Sequence, residues 1–202
     1  MSVAELPESE VEALAGAALI HEIGLRRLMA EDYRTHKSRL FSPGLHAVWV
    51  NRIGGWATGV LPKYVRVIPW YVYCVGHWFC RAFYGIEVAY SAKLGRRFEI
   101  AHQGAIVVHR FATFGNDCSI RQGVTLGISN MNHWRDNEGP VIGNNVNFGV
   151  GAVVMGNVRI GDNVQIGPNC VVTTDVPADR VLFIAPPRVL PSKPDEEQKE
   201  AS

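Results

Sequence analysis

From Leu94 to Val176 an apolar residue returns every six residues and is often followed by glycine. The anchors are Leu94, Ile100, Ile106, Phe114, Ile120, Leu126, Ile142, Phe148, Val154, Ile160, Ile166 and Val172, with an interval of eight after Ile106 and of sixteen after Leu126. A second apolar series, Phe98, Cys118, Val124, Val146, Ala152, Val158, Val164, Cys170 and Val176, stands four residues after an anchor. A six-residue period matches neither an α-helix nor an unpunctuated amphipathic strand. It fits a parallel β-helix, in which each hexapeptide is a short strand plus a corner and three of them make one coil. Glycines after the anchors, such as Gly115 and Gly149, mark places where a Cβ would crowd. Asn144-Asn145 and Asp162-Asn163 suit corners at left-handed backbone angles. A β-sandwich would instead be punctuated about every 8–12 residues.

The rest of the chain is read around that repeat. Residues 8 to about 36 carry apolar residues at helical spacing, with Ser9 as a candidate N-cap. A second helix is expected from Leu45, with Pro43 near its first turn and its end weakened by Gly54-Gly55, Gly59 and Pro62. The aromatic segment 64–84 is interrupted by Arg66, Pro69, His77 and Arg81, too often for a membrane span. It is expected to be a helix packed between the helical part and the β-helix or against another subunit, with a peripheral membrane contact through 64–84 as the less favoured alternative. Thr174-Asp175-Val176-Pro177 closes the last regular coil, a strand is expected over 185–190, and the polar tail is expected to be disordered. The domains are therefore 1–84 helical, 85–178 β-helical, and 179–202 a strand and tail.

Charge and cysteine content narrow the function classes. A formal charge of +1 with no large basic block argues against nucleic acid, and Arg26-Arg27 and Arg96-Arg97 read as solvated faces. Cys74, Cys80, Cys118 and Cys170 form no CxxC pair, and the N-terminus shows no signal peptide, so packed thiols and a cytoplasmic location are expected.

His102 falls two residues after the anchor Ile100, which places it on a corner with its side chain outward. Imidazole is the side chain best suited to take a proton near neutral pH. Glu87 lies fifteen residues earlier, close to one coil, where a carboxylate would orient the imidazole across adjacent coils. On spacing alone, an exposed His beside an exposed Glu is also ordinary surface.

The stretch GIEVAYSAKLGRRFEIAHQGAIVVHRFATFGNDCSIRQGVTLG (85–127), with its eight-residue interval, resembles the corresponding region of bacterial serine O-acetyltransferases. SPGLHAVWVNRIGGWA (42–57) is similar to the end of that family's helical domain, and the likeness extends over about residues 30 to 190. The resemblance implies an α+β chain with a left-handed parallel β-helix, assembled as a homotrimer or a dimer of trimers. Acetyl-CoA is the implied co-substrate, with no metal, and a small hydroxylated molecule is the acceptor. His102 matches the family's catalytic base and Glu87 its acidic partner, while Gly127, Gly149, Val150, Gly167, Pro168 and Arg188 match positions lining the coenzyme groove.

The likeness departs at the acceptor site. Ala101 stands where an acidic residue precedes the catalytic His, Glu138-Gly139-Pro140 replaces the family's Arg-His-Pro, and the loop is two residues longer. Asp32 is the nearest candidate for the acid that contacts serine from the helical domain, although it stands three residues too close to Gly44. His133 and Arg135 either replace the lost charges or belong to a solvated insertion. Serine, another small hydroxylated metabolite and a saccharide hydroxyl all stay open as acceptors. Outside acyl transfer, the scaffold also admits a zinc hydratase using His102, His109 and His133, or a non-catalytic assembly role.

Overall fold

A computed structural model describes residues 15–128 and 139–185. Among the described residues four α-helices, α1 (Gly16–Ile23), α2 (Leu25–Thr35), α3 (Pro43–Gly59) and α4 (Val67–Phe79), are followed by a π-helical turn over Cys80–Tyr84. The expected single helix over 8–36 is therefore broken, in its described part, at Gly24, whose φ of 89° takes it out of helical geometry. Val11, Leu14 and Ser9 lie outside the described residues. Helix α3 runs straight through Gly54-Gly55 instead of weakening there, because the pair is needed for packing. A Cβ on Gly54 would lie 2.6 Å from both Tyr73 and Tyr90.

Among the described residues thirteen short parallel strands then build a three-sided β-helix. One side is β1 (Ile86–Val88), β3 (Ile106–Val108), β6 (Thr125–Gly127), β9 (Val153–Met155) and β12 (Val171–Val172). The second is β4 (Thr113–Phe114), β7 (Val141–Ile142) and β10 (Arg159–Ile160); the third is β2 (Glu99–Ile100), β5 (Ser119–Ile120), β8 (Asn147–Phe148), β11 (Gln165–Ile166) and β13 (Val181–Leu182). Register accounts for both irregular intervals. Regular coils set Val153 against Val171, eighteen positions on, whereas Glu99 pairs with Ser119 twenty on, and Thr125 with Val153 twenty-eight on. The two added positions absorb the interval of eight, and the ten added positions are the insertion that contains 129–138. The β-helix does not end at 178, because Val181–Leu182 pairs with β11 and Leu182 packs on the core. The strand expected over 185–190 lies largely outside the described residues.

All twelve anchors are buried, and of the second series only Val176 is partly exposed. Phe98, Phe114 and Phe148 stack edge to face along the axis at 4.8 and 6.1 Å. Ala47 and Val48 of α3 join this same core, so the helical part is seated on the β-helix; Leu19, Ile20 and Leu28 form a separate small cluster. Asn145, Asn163 and Asp179 occupy stacked left-handed corners at φ 54–59°, and their side chains form a ladder of 2.9 Å hydrogen bonds. The glycines after the anchors serve close approach. A Cβ on Gly149 would lie 2.6 Å from the Pro168 nitrogen of the next coil.

Candidate active site

The corner after β2 carries Ala101 to Ala105. It turns through Gly104 at φ 109° and Ala105 at φ 51°, and it is fixed by Ala101 N–H donating to Ile120 O (3.0 Å) and Ile106 N–H to Gly85 O (2.9 Å). His102 sits on this corner with its side chain exposed, as its spacing implied. It faces a cleft of about 570 Å³ whose opposite wall is the segment Arg39 to Pro43 leading into α3. Gly44 makes that approach possible, since any Cβ there would fall 2.1 Å from Ile100 O. The first turn of α3 therefore abuts the strand end that bears His102, and the partial positive charge of a helix N-terminus faces the cleft.

Three polar contacts lock this geometry, and sequence reasoning found none of them. Buried His36 donates from Nδ1 to Asp32 O at 2.8 Å and accepts the Ile100 N–H on Nε2 at 3.2 Å, which requires the neutral Nδ1–H tautomer. Glu31 receives two hydrogen bonds from Arg96, at 3.1 and 2.9 Å, so Arg96 rivets α2 to the β-helix and is not the solvated residue expected. Beside the cleft, His46 donates to Leu40 O from Nε2 (2.7 Å) and accepts from the Tyr84 hydroxyl on Nδ1 (3.0 Å).

Asp32 requires a correction. It is fully buried and bonded to the fully buried Arg52, with Nε to Oδ2 at 3.2 Å and Nη2 to Oδ1 at 3.4 Å. Arg52 also donates to Leu94 O at 2.7 Å and Gly95 O at 2.6 Å. Asp32 is thus committed to Arg52 as a structural anchor and does not line the cleft. Burial pushes its carboxyl above the ordinary carboxylate range, with Arg52 pulling the other way.

Glu87 and His102 flank one corner without bonding. Glu87 projects from β1 in register with Val107, and Gly85 of the same strand entrance lies against Gly104 and Ala105. Its carboxylate is held by Arg81 Nε at 3.2 Å. Among the described residues the His102 ring has no hydrogen-bond or ion-pair partner. Among the described residues no carboxylate lines the cleft, and Arg39 is the one Arg or Lys on its wall.

Four of the coenzyme-groove candidates share His102's edge of the prism. Ile100 is in register with Ile120, and Phe148 with Ile166, so His102, Gln122, Val150 and Pro168 each stand two residues past one side's strands in successive coils. Gly149 and Gly167 stand one residue past those strands. The corners are stitched together by Gly123 N–H to Gly104 O (2.9 Å), Gly151 N–H to Gln122 O (3.0 Å) and Asn169 N–H to Val150 O (2.8 Å). Three steps of about 4.8 Å place the row's ends roughly 14 Å apart. Gly127 ends β6 and stands on a different edge, against Met155. Gln122, one coil from His102, was missed by the sequence reading; its Oε1 is buried with no donor among the described residues. Arg188, His133 and Arg135 lie outside the described residues. His109 bonds to Phe111 N–H through Nδ1 (3.4 Å), and among the described residues no three His, Cys, Asp or Glu side chains converge as a metal site.

Residues 139–174 match the family model described as bacterial transferase hexapeptide (six repeats). A serine acetyltransferase of Synechococcus elongatus is 35% identical over 148 residues, covering 73% of this chain and 57% of the relative, so the chain spans less than two thirds of the relative's length. Among solved structures, serine acetyltransferase isoform 3 of Entamoeba histolytica, in complex with cysteine, is 25% identical with a TM-score of 0.69, covering 92% of this chain and 67% of that one. Serine acetyltransferase of Neisseria gonorrhoeae, in complex with serine, is 26% identical with a TM-score of 0.65, covering 80% and 67%.

Proposed function

Because this chain belongs to the hexapeptide-repeat superfamily as a divergent relative of the serine acetyltransferases, we propose that it is an acetyl-CoA-dependent O-acetyltransferase with His102 as general base. One observation carries this: an outward imidazole, free of protein partners among the described residues, stands at the mouth of a cleft and heads a row of stacked corners. Bound acetyl-CoA supplies the acetyl group as a thioester. His102 takes the proton that the acceptor hydroxyl loses as its oxygen captures the acetyl carbon, and returns it to the departing thiolate, giving an acetyl ester and free CoA. Glu87 is the orienting carboxylate and must exchange Arg81 for His102 to serve.

The corners of Val150 and Pro168, which are exposed, with Gly167 half-buried and Gly149 buried beside them, offer the coenzyme a flank. We assign the chain to a trimer with the coenzyme between neighbouring β-helices. Such a groove draws a different edge from each protomer, which gives Gly127 a place in it.

Serine is the acceptor indicated by the relatives. The cleft itself favours a second class, a sugar or other hydroxyl compound without an ammonium group, since Ala101 is apolar and Asp32 is consumed by Arg52. An ammonium desolvated without a counter-charge would cost several kcal/mol. The test is thiol release from acetyl-CoA with L-serine, homoserine and a sugar panel, comparing wild type with His102→Ala. Release that depends on one acceptor and drops about 10²–10⁴-fold in the variant is expected. Release unaffected by the substitution refutes the assignment of His102, and no release with any acceptor refutes the activity.

A further inference from the structure

Helix α4 is apolar on both of its faces, yet only one is covered. Trp70, Tyr73 and His77 turn inward, Tyr73 and Trp70 packing on Tyr90 and Tyr73 stacking on His77 at 5.3 Å. The opposite stripe follows helical spacing and is bare, with Ile68 76% exposed, Tyr71 70%, Val75 50% and Trp78 62%, and it continues into Tyr64 (84%) before the helix and Phe83 (65%) after it. A soluble surface normally leaves a helix's outward face polar. At 13 residues the helix is about 20 Å long, and no described helix is long and apolar enough to cross a membrane.

Charge identifies what this face meets. Between Asp32 and Glu87 the chain has no acidic residue, while Lys63 and Arg66 stand at the start of the stripe with no ion pair among the described residues. Arg81 stands at its other end, beside Glu87. A second copy laid on the stripe offers these cations no free counter-charge, since the segment itself has no acidic residue and Glu87 is already paired with Arg81. An anionic lipid surface pairs them instead. Tryptophan and tyrosine side chains, with apolar bodies and polar tips, are those preferred at the boundary of headgroup and acyl chain.

We propose that α4 is an interfacial anchor that lays this face on an anionic bilayer, with Lys63 and Arg66 on lipid phosphates and the aromatic stripe in the headgroup boundary. This stands independently of the acetyl-transfer assignment. The test is flotation of the full chain with vesicles of phosphatidylcholine alone and of phosphatidylcholine and phosphatidylglycerol in equal amounts, with tryptophan emission followed in parallel. Binding to the anionic vesicles with a blue shift is expected, weakening as salt rises. Lys63→Gln with Arg66→Gln should lower partitioning about thirtyfold, roughly fivefold for each cation. Ile68→Asp with Val75→Asp should abolish it while the far-ultraviolet dichroism stays unchanged. Failure to float, or equal binding to neutral vesicles, overturns the proposal. So does a lipid-free sedimentation experiment in which the aspartate variant dissociates an assembly that never floats, since the stripe would then join copies of the chain.

Discussion

Replacing Asp32 by Asn keeps the shape of the side chain but leaves the Arg52 guanidinium charged at a fully buried position. Breaking a buried pair by removing one partner costs about 3–5 kcal/mol, chiefly from the uncompensated charge. Arg52→Met alone strands the Asp32 carboxylate and also withdraws the donor from Leu94 O and Gly95 O. Leu94 O keeps the Gly16 N–H at 3.0 Å, whereas Gly95 O loses the donor that holds it. The double variant Asp32→Leu/Arg52→Met then has no buried charge and one orphaned carbonyl, which costs about 1–3 kcal/mol. The double change should therefore be milder than either single change, with a coupling of several kcal/mol between the sites. Equilibrium urea unfolding, followed by tryptophan fluorescence at fixed chain concentration, measures the cycle of wild type, Asp32→Leu, Arg52→Met and the double variant, with Asp32→Asn alongside. An Asp32→Asn variant within about 1 kcal/mol of wild type, well below the buried-pair cost, would refute the account of this pair as the joint between helices and β-helix. Strict additivity of the single changes would refute it equally.

Gly149→Ala should destabilise by about 1–3 kcal/mol in the same assay, because the new methyl group meets the Pro168 nitrogen and the coils cannot separate locally. The Cys118 thiol, pushed up to about 12 by burial, and that of Cys80, pushed up to about 11, should resist a disulfide reagent in the folded protein. With Cys170 also buried, titration should find one reactive thiol, Cys74, until denaturant exposes all four. His77 is held below its ordinary value mainly by burial against Tyr73. A depressed histidine contributes stability that is present above the unfolded value and lost as pH falls through it, because the unfolded chain binds the proton more readily. Melting temperature should therefore drop on acidification below about pH 6.5, the ordinary histidine value, and His77→Phe should reduce that drop.

The β-helix was legible because its core is periodic. Each anchor fills the same place in its coil, so the twelve anchors and their companions could be counted off without knowing any contact between them. The positions of the corners followed in the same way, including the left-handed Asn145 and Asn163. His102's outward orientation needed only its offset from Ile100. The helical part gave less, since its helices are short and its glycines have opposite meanings. Gly24 breaks a helix, while Gly54 and Gly55 let another helix lie close to its neighbours.

Partners distant in sequence were beyond a one-dimensional pattern. Asp32 looks the same whether it faces a substrate or a buried arginine, and the choice was made by α3 carrying Arg52 beneath α2. Arg96 reads as a surface residue in the sequence because Glu31, its partner, lies 65 positions away. Glu87 and His102 stand one coil apart by count, but the ion pair with Arg81, offered by the π-helical turn, claims the carboxylate. Repetition and spacing by themselves determined the fold, its core and the edge that bears His102, because those depend on local period. Tertiary structure alone decided which charges pair, which acid is withdrawn from the cleft and which face of α4 stays bare, because electrostatics and burial act between neighbours that the chain brings together only on folding.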